Sequence, residues 1–388
     1  MNKVVIISHD ALTPLIKRHF FIEEMMKDGI EVEYWCARTI VHYAKKIHYS
    51  NELNENFYTE IESLGQLKKL IDLQQKDTWF CVELWFTWDC LKIFKLLKSF
   101  NNQFRIDWYC NIPVTSLKHK IKAGIRKLKF GKLFRGVSRM ISRKAFKVYT
   151  DAISLQQPSL FFAPGKKSME IFNDRNTIAL NHHDFESFQQ SRKNESFNNF
   201  QNRYAVFLDV MLPFHPDLKR LGSKTIDPAV YFTKLNSFFD QLEQQLNLEV
   251  IIAAHPKSSY TNEFNNRRVL KGMTNELVEH SSVVLAHHSA AINYSILNEK
   301  KLVLIYSNEF QKTGADNYIL QNIYDIMVLY GQYLNCSVIN IDKKTSDLQF
   351  KEVDIDAYQK FLNDYIIGSQ DESNYDVIKR KLFNGMQA

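Results

Sequence analysis

The amino-acid sequence predicts an α/β protein of two tandem domains, each a parallel sheet covered by helices on both faces. Three observations carry that expectation. Short apolar runs alternate with amphipathic stretches from the first residues onward, which is the rhythm of strand–helix–strand units. The alternation restarts after a polar, Asn/Gln/Ser-rich interval, Phe188 to Asn202, whose composition is that of a linker. The 388 residues also exceed the length at which a single hydrophobic core keeps growing.

In the first domain, residues 1–195, strands are expected at Lys3 to Ser8, Ile30 to Cys36, Thr78 to Val82 and Phe104 to Tyr109. Helices near Leu12 to Lys27, Glu60 to Leu73 and Cys90 to Ser99 separate them. Two further runs, Ser159 to Gly165 and Asn176 to Asn181, complete this domain. The second domain, 203–356, opens with the strand Tyr204 to Asp209 and a helix from Pro228 to Leu246. Strands at Val250 to Ala254, Ser282 to Ala286, Lys301 to Tyr306 and Ser337 to Ile341 follow, and 357–388 reads as two closing helices.

Hydrophobic residues at 45% and charged residues at 24% fit a folded globular chain and exclude a disordered one. The five cysteines are scattered without metal-ligand spacing and read as reduced core thiols. Met1 leads directly into a strand pattern without the apolar core of a signal peptide, so a cytoplasmic location is expected. No apolar run reaches the roughly 18 residues of a membrane span.

The net charge of +7 is concentrated in Lys118 to Lys147, which holds twelve Lys and Arg and no acid, leaving the remainder at −5. Its cations interleave with Ile, Leu, Phe and Met at helical spacing, the pattern of a helix lying on an anionic leaflet. A solvated basic face is the ordinary alternative. Nucleic acid is not expected as a partner, since no recognition motif accompanies the charge.

Chemistry concentrates where strands end. Glu249-Val-Ile-Ile-Ala-Ala-His-Pro-Lys257 is an apolar run closing on His255, Pro256 and Lys257. The proline restrains His255 to an extended backbone that aims its imidazole beyond the sheet, where it can donate to a phosphate and offset charge on a leaving nucleotide. Ser282-Val-Val-Leu-Ala-His-His-Ser-Ala-Ala291 ends in His287, His288, Ser289 and Ala290 at a strand-to-helix turn. Backbone N–H groups and a short hydroxyl there suit an anion. Asn308 and Glu309, after a later strand, are placed to accept hydrogen bonds from a ribose or sugar hydroxyl.

This pairing of a His-Pro turn with a Ser-bearing turn resembles the HP and S motifs of bacterial capsule and surface-polysaccharide glycosyltransferases, the polysialyltransferase-like and Kdo-transferase-like enzymes. The similarity covers mainly residues 204–310, and the chain carries one serine where polysialyltransferases carry a pair. The resemblance implies a GT-B fold, two Rossmann-like domains facing across a cleft with C-terminal helices crossing back. It also implies that His255 and Ser289 contact the phosphate of a cytidine-activated donor, with a CMP-sugar favoured and a glycan or lipid-linked glycan as acceptor. UDP, GDP or dTDP sugars, CDP-glycerol, or a non-catalytic nucleotide- or glycan-binding role are the alternatives.

An inverting transfer needs a carboxylate to take the acceptor proton. Asp209 and Asp10 each follow a first strand and are the candidate bases, with an Asx turn and a helix cap as their respective structural alternatives. Glu83, in Phe80-Cys-Val-Glu-Leu-Trp-Phe86, is a third strand-end acid whose surroundings are expected to raise its pKa. Asp354-Ile355-Asp356 spells a DxD triplet, but its place before a helix suits helix-terminal charge better. No metal requirement is expected.

Overall fold

A computed structural model describes residues 2–41, 51–108, 130–173, 175–192, 203–215, 225–312, 318–343, 347–369 and 371–384. The chain forms two compact units, one of residues 1–110, 129–181 and 367–388, the other of 111–128 and 182–366. Each is a doubly wound parallel α/β unit.

The first unit contains β1 (Lys3–Ser8), β2 (Glu31–Cys36), β3 (Tyr58–Glu60), β4 (Trp79–Glu83), β5 (Gln103–Ile106), β6 (Leu160–Pro164) and β7 (Asn176–Leu180). They pair in the order β3-β2-β1-β4-β5-β6-β7, every pairing parallel. Both faces are covered, as the near-continuous apolar strands require. Val4 and Ile6 enter one core with Tyr34, Cys36 and Phe162, while Val5 and Ile7 enter the other with Trp35, Phe80 and Val82.

The second unit contains β8 (Tyr204–Leu208), β9 (Glu249–Ala253), β10 (Val269–Leu270), β11 (Val283–Ala286), β12 (Leu302–Tyr306) and β13 (Ser337–Asn340). Their order is β10-β9-β8-β11-β12-β13, again all parallel. In both sheets the first strand lies between the second and the fourth, so successive connections leave in opposite directions there. That reversal opens a crevice beyond the carboxyl ends of the strands. In the second unit it falls between β8 and β11; in the first, between β1 and β4.

Local chemistry explains the helices that matter for these strand ends. Helix Pro228–Leu246 has proline in its first turn and Asp227 accepting from the Val230 N–H at 3.1 Å, the usual way an exposed helix start is satisfied. It buries Tyr231, Leu235, Phe238, Phe239 and Leu242, one stripe at helical spacing. The expected helix over Leu12 to Lys27 is instead two, Pro14–His19 and Ile22–Lys27, broken at Phe21 with φ 54°. The expected linker begins as helix His183–Ser191 because Phe185 and Phe188 are buried; residues 193–202 lie outside the described residues, as do 118–129 of the basic segment. No helix among the described residues is long and apolar enough to cross a membrane.

The terminal helix Asn374–Lys379 belongs to the first unit, where Val377 and Ile378 join the core of Val4 and Ile6. The chain arrives there through a tight approach. Gly368 donates to Asn181 Oδ1 at 2.9 Å, and a Cβ on Gly368 would stand 2.5 Å from the Leu180 carbonyl oxygen. Gly368→Ala is therefore expected to destabilise the first unit by about 1–3 kcal/mol, read as a lowered urea midpoint.

Candidate functional site

The strand ends of the second unit are organised around Asp209. Its N–H continues the ladder to the Ala253 carbonyl at 3.1 Å, and its carboxylate is buried. Oδ1 accepts from the Met211 N–H at 2.8 Å, while Oδ2 accepts from the His255 N–H at 3.2 Å and the Tyr260 hydroxyl at 2.7 Å. Three donors satisfy a buried carboxylate and bind the loops after β8 and β9 into one piece. Burial and the Asp209 charge hold the Tyr260 phenol above its ordinary range, so it remains the donor.

His255 is held at its backbone and on one ring nitrogen. The Ser258 N–H and hydroxyl both donate to the His255 carbonyl, at 2.9 and 2.7 Å. The Lys271 ammonium closes on the Ser258 carbonyl. The Lys257 N–H donates to His255 Nδ1 at 3.1 Å, which puts the proton of the neutral ring on Nε2. Burial lowers the His255 pKa, with His215, Lys257 and Lys271 adding to the effect and Asp209 opposing it. A half-buried, neutral N–H donor is the result, at the end of β9. Pro256 and Lys257 are exposed beside it.

On the other side of β8, the two histidines after β11 have separate fates. His287 is fully buried; its Nδ1–H donates to the Ile305 carbonyl at 2.6 Å and its Nε2 accepts from the Tyr231 hydroxyl at 3.0 Å. Burial lowers its pKa to about 4, making it a neutral core residue. His288 is half-buried against Tyr330, and burial lowers its pKa as well. Ser289 Oγ accepts from the Ala291 N–H at 3.2 Å. The short helix Ile292–Leu297 is capped at Ala291, because residues 289–291 form their own turn first, so Ser289 precedes the cap instead of occupying it. Ala290 is the exposed residue of that turn.

His255 and Ser289 thus follow strands on either side of β8. Two strand spacings, roughly 10 Å, separate β9 from β11. Asn308 and Glu309 sit one strand further along, after β12. Asn308 donates its N–H to Asp342 at 2.8 Å and accepts from the Asn340 amide at 2.8 Å. Glu309 pairs with Lys234 at 3.3 Å and with Lys312 at 2.5 Å. These contacts tie the β12 loop to β13 and to helix Pro228–Leu246.

Asp10 lies in the first unit, half-exposed, its carboxylate 3.6 Å from His9 Nε2. It does not cap the following helix, where Thr13 accepts from the Ile16 N–H at 3.3 Å. Glu83 closes β4 next to it. Burial pushes the Glu83 carboxyl up to about 7, with Arg105 restraining the rise and Asp107 and Asp10 adding to it. Asp354 Oδ1 accepts from the Ala357 N–H and Oδ2 from the Asn335 amide, both at 3.0 Å, the helix-start role its position suggests.

One group among the described residues has metal-ligating types together: His182, His183 and Asp184. Asp184 accepts from the Asn293 amide at 2.8 Å and lies 3.2 and 3.3 Å from the two histidine rings. Burial raises its carboxyl, but the hydrogen bond and charge of His182, with His183 and Asn293, outweigh this and hold it at about 2. The cluster anchors helix His183–Ser191 against helix Ile292–Leu297. A separate open groove of about 580 Å³, lined by Phe214, Phe232, Asn236, Asp240 and Glu263, contains neither His255 nor Ser289.

Tyr260, Ser258, Lys271 and Tyr231 were not legible as site residues, because each acts through a partner that only the fold supplies. No family model matches the chain, and no curated protein matches it. Among solved structures it is similar to a Staphylococcus aureus MnaA–UDP co-structure (11% identity, 100% of this chain and 98% of that one, TM-score 0.46). It is also similar to the wall teichoic acid polymerase TagF, H444N variant (10%, 100% and 90%, TM-score 0.45), and to spinosyn forosaminyltransferase SpnP (11%, 93% and 89%, TM-score 0.44).

Two outcomes follow from the geometry. Tyr260→Phe removes a donor to a buried carboxylate and should cost about 1.5–3 kcal/mol, measured by urea denaturation. For Glu83, a folded pKa raised above the unfolded value means that stability is lost as pH climbs from about 4.5 through 7. Glu83→Gln, which does not ionise, should therefore melt higher than the native protein at pH 8, with the advantage shrinking toward pH 5.

Proposed function

We propose that the chain is a metal-independent glycosyltransferase of the GT-B type, taking a nucleotide-activated sugar and transferring it with inversion to a hydroxyl of a bacterial surface glycan. The observation that carries this reading is the pair His255 and Ser289 on either side of β8, beyond the carboxyl ends of a parallel sheet. A neutral imidazole with its proton on Nε2 donates to a phosphate without first losing one, and Ser289 adds a hydroxyl. His288 and Lys257 border the same ends. As the bond from the anomeric carbon to the phosphate breaks, negative charge grows on the phosphate oxygen, and donors already in place stabilise that charge.

Residues 203–356 are assigned the donor role, 1–195 the acceptor role and 357–388 the closing helices. A CMP-linked acidic sugar is the favoured donor on the strength of the HP and S motifs. UDP, GDP or dTDP sugars and CDP-glycerol present the same phosphate chemistry and are the competing donors. Asn308 and Glu309 are retained as contacts to a ribose or sugar hydroxyl. Asp209 is assigned to positioning, because its contacts with Met211, His255 and Tyr260 all serve to hold the strand-end loops; the base is sought elsewhere. The basic segment 118–147 is assigned to an anionic membrane face where lipid-linked acceptors reside.

The test is a melting series with CMP, CDP, UDP and GDP, since a ligand bound only by the folded state raises its apparent stability. Cytidine nucleotides should raise the melting temperature, and His255→Ala should abolish the rise while lowering transfer about a hundredfold. Stabilisation by UDP alone would reassign the donor; indifference to all four would remove the transferase reading.

A further inference from the structure

At the start of helix His183–Ser191, His182, His183 and Asp184 each offer one ligand atom, and these atoms lie within 4.8 Å of one another. All three residues, and Asn293 beside them, belong to the second unit. His182 Nδ1 accepts from the Asp184 N–H at 3.2 Å, so this nitrogen presents a lone pair and not a proton. The same nitrogen stands 3.2 Å from Asp184 Oδ2, which is also an acceptor. His182 and Asp184 are both buried, and two acceptors facing each other inside a fold cost free energy unless something positive lies between them. The Asn293 amide offsets part of that cost, reaching the carboxylate at 2.8 Å and the ring at 3.4 Å. Its own Oδ1 is buried without a hydrogen bond among the described residues.

The spacing is that of ligands around a small ion. A tetrahedral metal with bonds of about 2.0–2.2 Å to nitrogen and oxygen holds its ligands about 3.4 Å apart. His182 Nδ1 lies 3.2 Å from Oδ2, and His183 Nε2 lies 3.3 Å from Oδ1. A proton satisfies one such pair at a time, whereas one ion between the two imidazoles and the carboxylate satisfies both. Two imidazoles to one carboxylate select zinc or another first-row transition metal over magnesium or calcium, which prefer oxygen. The positive end of the helix acts in the same direction, since it disfavours a cation held by charge alone. The His183 side chain is 28% exposed, which gives an ion a way in.

We propose that His182 Nδ1, His183 Nε2 and the Asp184 carboxylate bind one zinc-class ion, with water at the fourth position. Asn293 and Tyr294, whose hydroxyl also meets Asp184, hold the ligating carboxylate by hydrogen bonds, as the partners of metal ligands commonly do. The ion then joins the starts of helices His183–Ser191 and Ile292–Leu297. The Asn293 N–H in turn donates to the Ala290 carbonyl at 3.1 Å, so the same contacts steady the turn that carries Ser289. The ion is assigned to the fold and takes no part in the transfer chemistry proposed above, so the two readings fail separately.

The experiment strips the full chain with a chelator, returns it to metal-free buffer and titrates it with zinc chloride, with magnesium chloride in parallel. Bound metal is counted by elemental mass spectrometry and the melting temperature is followed. Zinc should bind one to one and raise the melting temperature, because it binds only the folded state; magnesium should do neither. Cobalt chloride in place of zinc should give the visible absorption of a tetrahedral site. His183→Ala alters a partly exposed side chain, and Asp184→Asn keeps an oxygen for the Asn293 amide. Each should weaken zinc binding about a hundredfold, and Asn293→Ala about tenfold, in chains that still melt cooperatively without metal. His215 and His255, with ring centroids 5.9 Å apart, are another pair of imidazoles able to share an ion, so His255→Ala is the control and should keep the full zinc stoichiometry. Absence of a one-to-one zinc complex, an octahedral cobalt spectrum, zinc binding unchanged in His183→Ala, or binding lost in His255→Ala overturns the proposal. If Asp184→Asn does not fold, His183→Ala and the cobalt spectrum of the native protein decide the matter.

Discussion

The buried Asp209 carboxylate is the constraint on which the second unit's strand ends depend. Parallel strands end together, but nothing in their ladders fixes the loops that follow. Asp209 does so by accepting from Met211 in its own loop, from the backbone of His255 after β9 and from Tyr260 four residues beyond Pro256. With the His255 N–H taken by Asp209, its carbonyl by Ser258 and its Nδ1 by Lys257, Nε2 is the ring nitrogen without a hydrogen bond among the described residues. The entropy of ordering His255 and Tyr260 is therefore met during folding.

The two units differ in their strand-end electrostatics. After β9 and β11 stand His255 and His288, whose pKa values burial lowers, with Lys257 exposed beside the first. After β1, β4 and β5 stand Asp10, Glu83 and Asp107, with Arg105 among them. Carboxylates repel phosphate but accept protons. The two environments are hard to maintain on one strand-end surface, because each shifts the other's protonation.

Much of the architecture was legible because buried parallel strands are apolar on both faces, and the sequence shows them as uninterrupted runs such as Val4 to Ile7 and Val283 to Ala286. The edge strands β3 and β10 escaped notice: they are three and two residues long and only partly buried, too short for any periodicity. The break at Phe21, with φ 54°, was equally hidden, since a phenylalanine does not mark a left-handed backbone. His287 and His288 are neighbours of the same type in the same turn. Only the fold reveals that Tyr231 and the Ile305 carbonyl, 56 and 18 residues distant, claim the first and leave the second half-exposed.

Acid residues show the same limit in a form that bears on mechanism. Asp354, Asp209, Asp184 and Glu83 all stand at the ends of regular elements, a position that does not by itself separate their roles. Their partners separate them. Asp354 gives one oxygen to a helix start and the other to Asn335; Asp209 accepts three donors; Asp184 is surrounded by two histidines and an amide. Each donor stabilises the ionised form and reduces its appetite for a proton. Glu83 has one backbone donor on one oxygen and burial acting against its charge, so its pKa is raised where those of Asp184 and Asp354 are lowered. What suits a carboxylate to receive a proton is therefore a deficit of donors, and a deficit becomes visible only when every neighbouring N–H and O–H has been placed.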